Sequence, residues 1–330
     1  MKVVNEKCSP VDRPVLCCIV PCYNEAASLP SFFKAMEGVS QQLLNRFNFE
    51  TGYVFVDDGS SDSTLDFIKD FKLKHERCHY VSFTRNFGKE SGLKAGMDAA
   101  LRLFPADDAL FAILDADLQD PPPLLLELID RLEADSSVEV AASYRNSRIG
   151  EPVLRSAFSH LFYNIMNNIS DVEMRDGARD FRVMRRIVIQ TVAAFPERVR
   201  FAKGLLVWGG FKTVWVPYDN VERVAGKSKW NFVSLVRYAF DGIVAFSTVP
   251  LEIISFGGLV LFLASLIFIL FIAIRWLLFS DPVAGWPSLV CIIAFFSGIL
   301  LFSIGVLGLY VSKLYIEIKR RPLYLIREEA

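Results

Sequence analysis

The chain has 330 residues, 52% of them hydrophobic and 22% charged, with a formal net charge of −1. That composition is too apolar for a disordered chain and too near neutrality for a general nucleic-acid binder. Its six cysteines, none in CxxC spacing, read as buried thiols rather than as a disulfide framework or zinc site.

The charges are unevenly spread. Between Ile253 and Ser312 only Arg275 and Asp281 are charged, whereas the other 270 residues carry 71 of the 73 charged side chains. A soluble part of about 250 residues is thus joined to an apolar part of about 60. Met1–Pro14 is polar and charged, and no signal peptide is visible, so the soluble part is expected in the cytosol.

Along the chain, short apolar runs alternate with amphipathic stretches. Strands are predicted at 15–20, 53–56, 78–83, 109–114, 138–143 and 213–216, and helices at 29–44, 63–74, 90–104 and 124–132. This alternation describes a doubly wound α/β sheet, whose ligands bind beyond the carboxyl ends of the strands. Amphipathic, aromatic helices are predicted over 157–169 and 230–246. Two uncharged stretches follow, 22 residues over Ile253–Ile274 and 31 over Pro282–Ser312, each sufficient for a hydrocarbon core of about 30 Å. Basic residues flank the pair at Lys227, Lys229, Arg237, Lys313 and Lys319–Arg321, which predicts a hairpin with both ends cytoplasmic.

The strand ends carry the chemistry. Asp115-Ala116-Asp117 follows the apolar Phe111–Leu114, and two carboxylates in one short turn suit a hard divalent cation, with Gln119 able to add a neutral oxygen. Asp57-Asp58-Gly59-Ser60 follows the second strand, where carboxylates can accept hydrogen bonds from a base or ribose. There is no Walker loop and no GxGxxG after a strand, which argues against a dinucleotide oxidoreductase.

Together, VPCYNE (20–25), VDDGSSDST (56–64), RNFGKESGLKAG (85–96) and DADLQDPP (115–122) resemble family 2 glycosyltransferases of the GT-A fold. GARDFR (177–182), ERVRFAKGLLVWGGF (197–211), GKSKW (226–230) and IEIKRRPLY (316–324) narrow the resemblance to polyprenyl-phosphate glycosyltransferases. These include bactoprenol glucosyltransferases and dolichyl-phosphate mannose synthases.

The resemblance implies a Rossmann-like GT-A domain over 1–229, an amphipathic juxtamembrane helix over 230–248, membrane helices over 249–279 and 284–312, and a cytosolic tail over 313–330. It places Pro21, Tyr23 and Glu25 at the donor nucleotide, Val56 and Asp58 at its base and ribose, and Ala116 beside the donor. Asp115, Asp117 and Gln119 would hold Mg²⁺ or Mn²⁺ on the donor diphosphate. Arg145, Arg155 and Ser159 would face the acceptor phosphate, while Arg223 and Lys229 would close over the donor phosphates.

Asp117, Asp180 and Arg145 are the catalytic candidates, Asp180 as an orienting group in preference to an obligatory base. The implied reaction is inverting transfer of a hexose, glucose from UDP-glucose first, to undecaprenyl phosphate at the bacterial inner membrane, by an enzyme whose relatives assemble as tetramers. Its rivals are another donor (mannose, N-acetylhexosamine or modified arabinose), a processive membrane glycan synthase, and a membrane-tethered sugar-binding scaffold without catalysis.

Overall fold

The first apolar run forms β1 (Val15–Cys22), and its burial explains its sequence. Leu16, Cys18, Val20 and Cys22 enter one apolar layer while Val15, Cys17 and Ile19 enter the other, so both faces are covered and no polar alternation survives. The computed structural model describes residues 13–145, 164, 166–168, 175–219, 242–244, 247–279 and 285–330.

β1 pairs in parallel with β2 (Glu50–Asp57) on one side and β4 (Leu110–Ile113) on the other, and β3 (Cys78–Phe83) extends the sheet beyond β2. Helices α1 (Leu29–Phe47), α2 (Thr64–Lys72), α3 (Lys89–Leu103) and α4 (Leu124–Glu133) supply the crossovers. α3 comes closest to the sheet. A Cβ at Gly96 would lie 2.4 Å from Ile19 Cγ2 and 3.2 Å from Val56 Cγ2, so the glycine sets that spacing.

The second half adds strands of mixed direction. β5 (Val140–Arg145), β6 (Ala178–Arg185) and β7 (Thr213–Tyr218) lie beyond β4 in the sheet order β7-β5-β6-β4-β1-β2-β3-β8. β6 is antiparallel to both β4 and β5, and α5 (Arg186–Ala194) and α6 (Ala202–Trp208) join the α3 layer. The doubly wound expectation therefore holds for β3-β2-β1-β4, and the remainder is a mixed extension. Cys17, Cys18, Cys22 and Cys78 are buried free thiols, as expected.

Two long helices follow, α7 (Val249–Phe279) and α8 (Trp286–Lys319). Each contains a stretch apolar and long enough to cross a membrane, Val249–Phe268 and Phe295–Lys319, with mean hydropathy 2.3 and 2.0. Neither stretch is buried within the chain, so by length and composition both call for an apolar surrounding. The second helix runs to Lys319, past the uncharged run Pro282–Ser312, and so carries Lys313 and Glu317. The chain then returns to the sheet. β8 (Ile326–Glu329) pairs antiparallel with β3, so the expected tail is the edge strand of the sheet.

Candidate active site

The strand order reverses at β1, with β2 and β3 on one side and β4 on the other. Crevices at such reversals are where open α/β sheets bind ligands, and the loops after β1, β2 and β4 converge there.

The first two loops are fastened together. Asn24, held at φ 51°, donates its backbone N–H to Ser60 Oγ at 2.9 Å and accepts Ser61 N–H through Oδ1 at 2.8 Å. Glu25 N–H donates to Thr64 Oγ1 at 2.8 Å, and Ala26 N–H to Asp62 Oδ2 at 3.2 Å. Burial alone would raise Asp62, but hydrogen bonds from Thr64 and Ala26 hold its carboxyl below the usual range. Tyr23 remains exposed at the rim, and Ser28 Oγ donates to Glu25 Oε2 at 2.7 Å.

Asp57 and Asp58 at the end of β2 are both buried. Asp57 accepts from Ser82 Oγ and Ser60 N–H. Asp58 accepts the Phe87 N–H at 2.6 Å and the Gly88 N–H at 2.9 Å, one on each oxygen. Burial pushes its carboxyl up, opposed by those two N–H groups. Asp58 thereby fixes the loop that leads into α3. Gly59 is necessary to that approach: its φ is +63°, and a Cβ there would lie 2.3 Å from the carbonyl carbon of Arg85.

The third loop holds the acidic turn. Leu118 at φ 60° bends the chain so that Asp117 Oδ1 accepts the Gln119 N–H at 3.1 Å. β6 brings a further carboxylate to it. Ile113 pairs with Arg182, and continuing that antiparallel register by two residues places Asp180 opposite Asp115. Lys89 Nζ lies between them, 2.8 and 2.9 Å from the Asp115 oxygens and 2.7 Å from Asp180 Oδ2. The Lys89 side chain is 37% exposed, and the two carboxylates outweigh its partial desolvation and raise the ammonium. Asp180 shows the converse: burial would raise it, and Lys89 with Lys203 holds it well below the usual carboxylate range.

Sequence reasoning missed Lys89. One signal was available, because a lysine in the first position of a helix opposes the helix dipole and so needs another source of stabilisation. It also missed Glu90, which accepts the Ala202 N–H at 2.8 Å and whose carboxyl burial pushes up to about 7.

The turn fits a hard cation by its donor chemistry. Carboxylate and amide oxygens of Asp115, Asp117 and Gln119 suit Mg²⁺ or Mn²⁺ rather than a soft metal. Lys89 shows that the Asp115–Asp180 pair already draws positive charge into this place. Among the described residues no three His, Cys, Asp or Glu side chains group as a metal cage.

The remaining expected residues fall into three groups. Pro21, Tyr23, Glu25, Asp58, Asp115, Asp117, Gln119 and Asp180 stand around the crevice, and Arg145 ends β5 on its far side. Val56 and Ala116 belong to the strand end and the turn at the crevice, with their side chains turned inward. Val56 is fully buried under α3 at Gly92 and Gly96, and Ala116 is packed into the α1–α4 layer, so only backbone atoms of either could meet a ligand. Arg155, Ser159, Arg223 and Lys229 lie outside the described residues, as do most of the predicted helices over 157–169 and 230–246.

Comparison with known proteins identifies the family. The family model described as Glycosyl transferase family 2 matches residues 17–192. The bactoprenol glucosyl transferase of Shigella phage SfV is 38% identical, covering 94% of this chain and 97% of its own. The prophage bactoprenol glucosyl transferase homolog of Escherichia coli K12 is 37% identical over 94% of this chain and 97% of its own. Among solved structures, the mannosyltransferase PcManGT of Pyrobaculum calidifontis aligns at a TM-score of 0.48 and 17% identity, over 94% of this chain and 88% of that one. With the matched model running from β1 through the acidic turn to β6, and relatives at 37–38% identity over 94% of the chain, this chain belongs to the family 2 glycosyltransferases.

Proposed function

We propose that the chain transfers glucose from UDP-glucose to a polyprenyl phosphate, with inversion, at the cytoplasmic face of a bacterial membrane. The observation that carries this reading is the similarity, nearly end to end, to proteins named bactoprenol glucosyl transferase, which takes in the two apolar helices as well as the sheet. A polyprenyl acceptor keeps its tail in the bilayer while its phosphate meets a water-facing site, and a catalytic domain tethered by a helical hairpin suits such a divided substrate.

In this reading Tyr23, Glu25 and the loop after β2 bind the nucleotide. Asp115, Asp117 and Gln119 would hold Mg²⁺ or Mn²⁺, whose chemistry is to neutralise charge on the departing nucleoside diphosphate. The nucleophile is a phosphate oxygen. A phosphate monoester has its second pKa near about 6 and is largely ionised at neutral pH, so little proton abstraction is required. The protein's task is positioning and charge compensation. Asp180, kept anionic by Lys89 and Lys203, suits an orienting acceptor for a sugar hydroxyl better than a base, because a carboxyl held so low has little affinity for a proton. Arg145 and Arg155 receive the acceptor phosphate through guanidinium forks, and Ser159 adds a hydroxyl donor.

The test is incubation of the purified full chain in lipid nanodiscs with undecaprenyl phosphate, Mn²⁺ and a panel of nucleotide sugars. Glucosyl phosphoundecaprenol, identified by mass, with UDP released in equal amount is the expected result. A lipid product only with another donor overturns the glucose assignment, a growing glycan chain supports a processive enzyme, and absence of nucleotide release with every donor overturns transfer.

A further inference from the structure

The donor-side turn and Arg145 are linked by a buried side-chain chain that the reaction described above does not use. Asp120 directly follows Gln119 and is only 4% exposed. Its Oδ1 accepts from Arg179 Nε at 3.0 Å and also from the Tyr218 hydroxyl. Tyr218, itself buried, ends β7, which pairs in parallel with β5 so that Tyr218 lies beside Arg145. As register partners, Arg145 and Tyr218 send their side chains from the same face of the sheet, so the guanidinium and the phenol are neighbours.

The polarity of this chain has only one consistent direction. Tyr218 gives its proton to Asp120, the carboxylate partner of Arg179, which leaves the phenol oxygen able only to accept, and the neighbouring Arg145 guanidinium only donates. Burial and the neighbouring Asp120 push the phenol up to about 12, which keeps that proton in place. Arg179 supplies the charge that a buried carboxylate requires. The Arg145 backbone is held as well: its N–H donates to Gly177 O at 3.1 Å, and Gly177 has φ +76°, where a Cβ would stand 2.9 Å from Arg145 O.

We propose that Asp120 and Tyr218 are positioning residues that fix the Arg145 guanidinium relative to the Asp115–Gln119 turn, so that donor and acceptor phosphates share one rigid frame. The inference rests on the reading that Arg145 receives the acceptor phosphate. Neither Asp120 nor Tyr218 touches substrate. They remove the rotamer freedom of a long side chain before the acceptor arrives, and that freedom would otherwise be lost on binding.

The test uses the full chain in nanodiscs with UDP-glucose and undecaprenyl phosphate. Tyr218→Phe removes one oxygen and keeps the ring. One hydrogen bond to a charged group corresponds to about a tenfold change. The KM for undecaprenyl phosphate should therefore rise about tenfold, with the KM for UDP-glucose and kcat at saturating acceptor within about twofold. Arg145→Gln should raise the acceptor KM further, and adding Tyr218→Phe to it should do nothing more, because the phenol then has no guanidinium to hold. Asp120→Asn, checked for folding by its melting temperature, should act in the same direction as Tyr218→Phe.

Equal rises in both KM values, or multiplying effects in the double variant, would overturn the relay and leave Tyr218 as ordinary packing. An acceptor KM unchanged in Arg145→Gln would instead overturn the placement of Arg145 at the acceptor, and the two failures are thereby distinguished.

Discussion

Gly59→Ala tests whether the close approach of the β2 loop to Arg85 builds the donor side of the site. The added methyl meets backbone, 2.3 Å from Arg85 C and 2.7 Å from both its Cα and its O, so no rotamer change can relieve it. The residue also sits at φ +63°, which costs a non-glycine residue about 1–2 kcal/mol. Overpacking against an immovable neighbour adds about 1–3 kcal/mol. The reduced freedom of the unfolded chain returns only about 0.4–1 kcal/mol. The net loss is about 2–4 kcal/mol, which for a soluble part of this size lowers the melting temperature by roughly 5–15 °C. Because relief requires the Arg85–Gly88 segment to move, and Asp58 binds the N–H groups of Phe87 and Gly88, UDP affinity should also fall at least about tenfold. Gly38→Ala is the matched control. It adds the same methyl within α1, where nothing lies within 4 Å, and should gain up to about 1 kcal/mol from helix propensity. Thermal unfolding followed by tryptophan fluorescence and calorimetric titration with UDP read both quantities. If Gly59→Ala melts at or above the parent and binds UDP normally, the reasoning about this loop is wrong.

Three further outcomes are expected. Lys89→Met leaves Asp115 and Asp180 facing each other without the ammonium, so the variant should melt lower in chelator and gain more from Mn²⁺ than the parent does. An identical Mn²⁺ increment in both proteins would refute this. Glu90 is shifted from 4.5 to about 7, so the folded chain holds its proton more tightly than the unfolded chain. Stability is therefore lost as pH rises from about 4.5 to about 7, by up to about 3 kcal/mol, and then levels off. Glu90→Gln should flatten that part of the stability curve, and an unaltered slope would count against it. Asp117→Ala should abolish metal-dependent transfer at an unchanged melting temperature, and normal turnover would remove Asp117 from the cation site.

The elements from β1 to β4 were legible because each has a local signature. Strands buried on both faces read as unbroken apolar runs, as in Val15–Val20, and the helices between them show one apolar face, as Leu29, Phe32, Met36, Val39 and Leu43 do in α1. The acidic turn was legible for the same reason, since it interrupts an apolar strand. What escaped depends on distant pairing. β6 begins Ala-Arg-Asp-Phe-Arg, with no alternation that marks a strand, and it is held by neighbours on both sides. β8 is four residues, Ile-Arg-Glu-Glu, whose charges suit a sheet edge and disguise it in the sequence. Lys89 reaches residues 26 positions away and farther, and the Asp120–Tyr218 contact spans 98. At Val56 and Ala116 the motif marks a stretch of chain without saying that both side chains point inward.

The return of the chain to β3 ties the order of synthesis to the completion of the sheet. β3 is paired on its outer edge by residues 326–329, with Tyr80 and Ala330 exchanging two further backbone hydrogen bonds. Glu317, near the end of α8, accepts the N–H groups of Arg198 and Val199. These partners leave the ribosome only after both apolar helices, so the catalytic half waits with an open strand edge while the hairpin finds its surroundings. An edge in that state is a template for wrong pairing. Closing it late means that the sheet is sealed only in chains whose two helices have already been made.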